Sequence, residues 1–293
     1  MKKCKNISGI YEIIDFYDVY ILDQWGVMHD GNEGYENAKK CIKELYKRKK
    51  TLIIISNSSK RKDATIKRLP KLGFNSNYFR EVMTSGEMIW QSLKKKNYSF
   101  VKKLKKNCYH LYDHSHKGGK KFVDGLDSFN FVDKIEDADF ILGCTPFNSY
   151  QTIDYLPILI EAKNKNMPFV CANPDYETIE NVSNNLSICM GTIAQLYENL
   201  GGEVFILGKP SIEIYSESIK KLKKLSKKRI LAVGDSIYHD IRGADLFNID
   251  SLLITSGIHK SSFDKNKPIW ESTTNKIKNL GIYPTFLCTE LRL

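Results

Sequence analysis

The sequence predicts an α/β protein: a core built on a parallel sheet, with a second α/β unit inserted into it. Three observations carry this. Short apolar or β-branched runs alternate with stretches of helical spacing, the rhythm of right-handed βαβ units. Two of those runs, 19–23 and 229–235, end on a carboxylate, Asp23 and Asp235. In open parallel sheets ligands bind outside the carboxyl ends of the strands, so acids placed there suggest chemistry. The rhythm also resets near residue 84 and returns near 205. That separates 1–83 and 205–293, one core, from an insert at 84–204.

Taken in order, 9–17 has the spacing of a short amphipathic helix leading into the strand at 19–23. The turn pair Asp30-Gly31 follows, then a helix over 35–49 through Ala38, Ile42 and Leu45. The run at 51–56 is β-branched throughout its middle and reads as a second buried parallel strand. Ser59 suits the N-cap of a helix that runs through Ile66 and Leu69. A helix opens at 83–86 and continues to about 95. Strands follow at 108–112, 139–143 and 167–172, with a helix at 153–166 between the last two. Asn173-Pro174-Asp175 ends the third of these strands. A helix over 192–200 stops at Gly201-Gly202. The core resumes with a strand from 203, a helix over 211–224, the strand at 229–235, a strand at 251–255 and a last strand near 283–288.

Composition limits the function classes. The 293 residues include 42% hydrophobic ones, enough for a sizeable core, and no apolar run approaches membrane-spanning length. Asn6, Glu12, Asp15 and Asp18 interrupt the N-terminal region, so no signal-peptide core is expected. The seven cysteines are scattered singly, which argues for a reducing cytoplasm and against a disulfide scaffold or zinc site. The formal charge of +11 raises nucleic-acid binding. Against it, the basic residues are mostly lysines without interleaved aromatics. Lys220, Lys224 and Lys227 or Lys228 share one face of the expected helix, as on a solvated surface. No nucleic acid or membrane is therefore expected as a partner, and an anionic small substrate suits the charge. His114 and His116 form a His-x-His pair, but no third metal ligand sits at suitable spacing. The segment from Gly202 to Gly208-Lys209 is one residue too long for a P-loop. It also has Pro210 where a magnesium-holding Ser or Thr belongs.

Four strand ends now carry polar groups: Asp23, Ser56-Asn57, Lys209, and Asp235 with Asp240. In one parallel sheet they share an edge. Paired carboxylates make a hard oxygen site suited to magnesium. A lysine supplies a fixed positive charge to a phosphate. Ser56 adds a hydroxyl, and amides at the start of a following helix favour an anion.

With these residues in place, the chain resembles the haloacid dehalogenase-like (HAD) superfamily, type IIA, whose members are NagD-like and p-nitrophenyl-phosphatase-like hydrolases. The resemblance rests on the segments 22–31, 55–59, 172–175, 207–211 and 233–240, which span nearly the whole chain. It implies a Rossmann-like core with an α/β cap inserted between the second and third core motifs. Asp23 would be the nucleophile and form an aspartyl-phosphate. Ser56 and Lys209 would hold the phosphoryl group, and Asn57 would line the site. Asp23, Asp235 and the backbone carbonyl of Trp25 would bind magnesium, with Asp240 supporting the metal shell. Asn173 and Asp175, on a cap loop, would face the substrate.

One position departs from the family pattern. Asp23-Gln24-Trp25-Gly26 has Trp25 where the resemblance implies a second Asp, which protonates the leaving oxygen and then activates water. His29 and Asp30 are the candidates to replace it, although Asp30-Gly31 is also a common hairpin turn pair. The expected function is a magnesium-dependent, cytoplasmic phosphohydrolase acting on a small phosphorylated metabolite. The alternative is a catalytically weak protein that binds a phosphorylated ligand for regulation or scaffolding. The residues name neither the substrate nor the oligomeric state, a homodimer included.

Overall fold

The computed structural model describes residues 4–115, 117–179, 186–222, 225–260 and 281–293. In chain order the first part contains β1 (Lys5–Asn6), two three-ten turns (Ile10–Glu12 and Ile14–Phe16), β2 (Val19–Leu22), α1 (Glu36–Lys47), β3 (Thr51–Ser56), α2 (Lys62–Arg68) and β4 (Phe79–Thr84). The middle contains α3 (Ser85–Lys95), α4 (Ser99–Lys103), β5 (Asn107–Leu111), α5 (Lys117–Lys120), β6 (Asn130–Val132), β7 (Phe140–Gly143), α6 (Leu156–Asn164), β8 (Phe169–Cys171), β9 (Glu177–Ile179), β10 (Leu186–Ile188), α7 (Met190–Asn199) and β11 (Val204–Ile206). The last part contains α8 (Ile212–Ile219), β12 (Ile230–Gly234), a π-helical turn (Ile237–Ile241), α9 (Arg242–Phe247), β13 (Asp250–Ile254) and β14 (Phe286–Cys288). No helix among the described residues is long and apolar enough to cross a membrane.

The chain divides into two compact units. One comprises Met1–Ser56, Asp63–Met83 and Lys209–Leu293, and the other Asn57–Lys62 and Thr84–Gly208. The cut on the return path thus falls at 208/209, against 204/205 from the sequence, and the second unit also takes in 57–62. That short segment is tied to α3. Arg61 Nε donates to Glu87 Oε2 at 2.7 Å, and its guanidinium carbon lies 3.6 Å from the centre of the Trp90 ring. Gly86 N donates to Ser58 O at 3.0 Å.

The first unit holds a seven-stranded sheet in the order β1-β14-β13-β12-β2-β3-β4. Its central strands are apolar on both faces, as parallel strands covered by helices must be. Tyr20, Leu22, Leu52, Ile54, Leu231, Val233, Leu252 and Ile254 face one cluster, which takes in Ala38, Cys41, Ile42 and Leu45 from α1. Those four helical positions recur at one-turn spacing, so α1 buries a single stripe. Leu253 and Leu287 face the opposite side and pack with Ile237 and Ile241. The chain runs outward from β2 through β3 and β4, then returns to β12 on the other flank of β2. The strand order therefore reverses between β2 and β12.

The second unit repeats the design at smaller scale. Its five strands lie in the order β11-β8-β7-β5-β6, all parallel. Leu111, Ile141, Phe169 and Cys171 pack with Leu159 of α6 and with Met190, Ile193 and Tyr197 of α7. Strands β9 and β10 form a separate antiparallel pair.

Several local expectations change. Residues 9–17 form two three-ten turns rather than an α-helix. Ile10, Ile13, Ile14 and Tyr17 are buried as the helical spacing requires. The backbone at Gly9, however, is pressed against the carbonyl of Leu293, where a Cβ would lie 2.2 Å from the oxygen. Ser59 caps no helix, because α2 starts at Lys62 and the 59–62 backbone is bound to α3. The helix expected over 211–224 is α8, capped by Ser211 and ending at Ile219. Lys227 and Lys228 sit in a three-ten turn, so the lysines do not share one helical face. Lys224 and His116 lie outside the described residues. Strands β4 and β6 and helix α4 lack a clear hydrophobic period in sequence and emerge only from their sheet and helix neighbours.

Burial separates two kinds of isoleucine here. Ile54 is fully buried in β3, whereas Ile160 on α6 is 49% exposed. Ile54→Ala is expected to destabilise the protein by about 2–5 kcal/mol. Ile160→Ala should cost no more than about 0.5 kcal/mol. Urea unfolding of the two variants against the parent checks the contrast.

Candidate active site

The reversal between β2 and β12 puts two carboxylates side by side. Register pairs Leu22 with Val233, and the amide of Asp23 extends that ladder by donating to Val233 O at 2.9 Å. Asp23 leaves β2 at this point, and Asp235 leaves β12 just past Gly234. Asp240, on the π-helical turn that follows β12, brings a third carboxylate. One oxygen from each of the three lies within 4.8 Å of the others, and all three residues are buried.

Lys209 enters this cluster from the chain's return path. Its Nζ donates to Asp23 Oδ1 at 2.6 Å and to Asp240 Oδ1 at 2.7 Å, and the lysine is only 3% exposed. The other Asp240 oxygen accepts the amide of Ser236 at 3.1 Å. Ser236 also caps the π-helical turn through its hydroxyl, which accepts from His239 N. Beneath it, the buried Tyr215 hydroxyl donates to Asp240 O at 3.3 Å. Asp240 is thus held at both carboxylate oxygens and at its backbone.

Asp235 is held differently. Its Oδ2 accepts the amide of Ile258 at 2.8 Å. Gly26 and Gly257 close around the same carboxylate. A Cβ on Gly26 would lie 1.9 Å from Asp235 Oδ2, and one on Gly257 would lie 2.1 Å from it. Gly26 also has φ +72°, a left-handed conformation open to glycine without strain. Burial pushes the Asp235 carboxyl well above the usual range, and the neighbouring Asp23 and Asp240 charges push it further.

The donor set is three carboxylates, a hard all-oxygen group, against one lysine. The surplus negative charge and the close oxygens fit a divalent cation such as magnesium. Asp23 and Asp235 would hold it, with Asp240 in support.

The remaining expected residues divide between the units. Ser56 is buried at the end of β3, which pairs with β2 through Leu22 and Ile54, so it shares the sheet edge with Asp23. Asn57, Asn173 and Asp175 fall in the second unit. There Asn57 Nδ2 donates to Asp175 Oδ1 at 2.8 Å, and Asp175 N donates to Asn173 Oδ1 at 3.2 Å. Trp25 is half-buried, with its ring edge-on to His29 at 5.3 Å between centroids. Sequence reasoning passed over Gly257, Ser236, Ile258 and Tyr215. A glycine two residues after the strand expected at 251–255, and a serine directly after Gly234-Asp235, were the available signals.

Comparison with known proteins gives the family and the fold. The profile of the haloacid dehalogenase-like hydrolase family matches residues 20–125, and that of a HAD-hydrolase-like family matches 206–276. Together they span more than half of the chain. A haloacid dehalogenase-like hydrolase from Brucella suis superposes with a TM-score of 0.81 at 25% identity, covering 97% of this chain and 99% of its own. A possible sugar phosphatase of the HAD superfamily from Cytophaga hutchinsonii gives 0.74 at 19% identity, covering 98% of each chain. A 4-nitrophenylphosphatase from Thermotoga maritima gives 0.66 at 18%, covering 94% of each. None of the curated proteins matches significantly. The chain belongs to the haloacid dehalogenase-like hydrolases. Within them its α/β insert between the two halves of the core makes it type IIA.

The raised pKa of Asp235 gives a signed expectation. An acid whose pKa is higher folded than unfolded binds more protons in the folded state. Its ionisation therefore costs stability as pH rises above the unfolded value of about 3.9. In metal-free protein Asp235→Asn is expected to raise the melting temperature at neutral pH, with a smaller gain near pH 4. Magnesium should stabilise the parent and leave the variant unmoved. Thermal melts at both pH values, in chelator and in magnesium, check this.

Proposed function

We propose that this protein is a magnesium-dependent phosphohydrolase acting on a small phosphorylated metabolite through an aspartyl-phosphate at Asp23. The observation that carries the reading is the buried cluster in which Lys209 bridges Asp23 and Asp240 beside Asp235. It lies where the strand order reverses, the usual ligand position in such sheets. The phosphatase names of the Cytophaga and Thermotoga proteins support the same class.

In this reading Asp23 attacks phosphorus and splits a difficult displacement into two easier ones. Lys209 swings part of its charge from the two carboxylates to the arriving phosphoryl oxygens. Ser56 donates its hydroxyl to the same group, and Asn57 lines it. Asp240 holds Lys209 in place. Asn173 and Asp175 meet the organic part of the substrate. Asp23, Asp235 and the carbonyl of Trp25 would hold magnesium. Bound there, the ion would offset the charge that otherwise repels a carboxylate from a phosphate. A cytoplasmic location fits the cysteines, all of which are free.

Trp25 favours a second reading, a weak enzyme that binds a phosphorylated ligand for regulation. Hydrolysis of p-nitrophenyl phosphate with and without magnesium decides between them. Asp23→Asn keeps the shape and removes the nucleophile. It is expected to abolish turnover with an unchanged circular-dichroism spectrum. Parent-level activity in that variant would remove Asp23 from the mechanism, and no activity in the parent would favour the binder.

A further inference from the structure

We propose that the site selects phosphorylated compounds whose leaving group departs unprotonated, acyl and aryl phosphates, over alkyl phosphates such as sugar phosphates. The inference rests on the reading of Asp23 as nucleophile. When Asp23 forms its bond to phosphorus, the bond to the leaving oxygen breaks and the electron pair goes to that oxygen. A positioned acid that protonates it contributes typically about 10²–10⁴-fold. A carboxylate or a phenolate, whose acids have pKa values of about 4 and about 10, carries the pair with little help. An alkoxide does not.

The turn that follows the nucleophile offers no such acid. Trp25 stands two residues on, and its indole N–H does not ionise. The His29 imidazole stands edge-on to the ring, 5.3 Å away between centroids, and the Arg68 guanidinium carbon lies 5.7 Å from its centre. Arg68 also donates to Gly31 O, which pins α2 to the tip of the turn. Between Trp25 and Gly31 the titratable groups are His29 and Asp30, and the turn uses both. Tyr35, further on, faces Asp30 and Asp235, and burial pushes its phenol up to about 12, too weak an acid to serve. His29 is 2% exposed, and its Nδ1 accepts the amide of Gly31 at 3.0 Å. Asp30 Oδ1 accepts the amides of Asn32 at 2.8 Å and Glu33 at 3.0 Å. These bonds, that from Glu33 foremost, hold the Asp30 carboxyl below its ordinary range, as a carboxylate rather than a proton donor.

Lys209 is committed as well, held by the Asp23 and Asp240 carboxylates. The departing oxyanion therefore takes its proton from solvent. In the second step water attacks phosphorus, the pair returns to the Asp23 carboxylate, and the water's proton again goes to solvent. With no base on the turn, this step is slow and the phosphoenzyme accumulates.

The test is a single-turnover series with enzyme in excess and magnesium present. Acetyl phosphate, aryl phosphates of graded phenol acidity, and glycerol phosphate serve as probes, with labelled phosphoenzyme followed directly. The rate of Asp23 labelling is expected to fall steeply with leaving-group pKa. Glycerol phosphate should be at least about 10²-fold slower than p-nitrophenyl phosphate. Trp25→Asp, which places an acid on the turn, should raise the glycerol phosphate rate and flatten the series. Native rates that are level across the series would overturn the proposal, whether or not that variant folds. Failure of every probe to label native protein would instead remove the phosphohydrolase reading, and the inference with it.

Discussion

Three carboxylates and one lysine, all buried within a few ångströms, set the terms for the rest of this protein. Buried charges cost more than their attraction returns unless geometry is tight and the remaining polar atoms are satisfied. The fold meets that demand locally. Lys209 spans Asp23 and Asp240, while the amides of Ser236 and Ile258 take oxygens of Asp240 and Asp235. Glycines at 26 and 257 let two loops close on Asp235 without a side chain between. One lysine against three carboxylates, with the Asp235 carboxyl held well above its usual range, leaves the cluster short of cation, and this oxygen donor set fits a divalent ion.

The sheet supplies the precision. Asp23 and Asp235 come from segments more than two hundred residues apart, yet adjacent parallel strands in fixed register place them side by side. The ladder bond from Asp23 N to Val233 O fixes their relative height. Apolar residues on both faces of β2 and β12 make that register rigid, because a slip of one residue would turn every side chain to the opposite face.

Much of this was legible in the sequence because it is written locally. Strand runs such as 51–56, the acids at their ends, and the break near 84 are short-range patterns. The site residues, too, occupy strand ends that a parallel sheet must gather. What escaped depends on distant partners. Residues 9–17 carry helical spacing, yet form two three-ten turns, with the Gly9 backbone packed against the Leu293 carbonyl. Ser59 has the chemistry of a helix cap, but its backbone belongs with α3. Gly257 and Tyr215 look unremarkable until Asp235 and Asp240 are placed against them. β4 and β6 have no clear alternation because one neighbouring strand, rather than an amphipathic face, defines them.

The division of the loop after β3 has a consequence for how this protein can be remodelled. Ser56 belongs to the core, whereas Asn57–Lys62 belongs with the insert, held there by Arg61 against Glu87 and Trp90. The insert is therefore a discontinuous module. A recombination event that exchanged 84–208 alone would strand Arg61 opposite a foreign α3. Inheritance of a new insert should carry the 57–62 hexapeptide with it, so two breakpoints on either side of β4 are linked in their history.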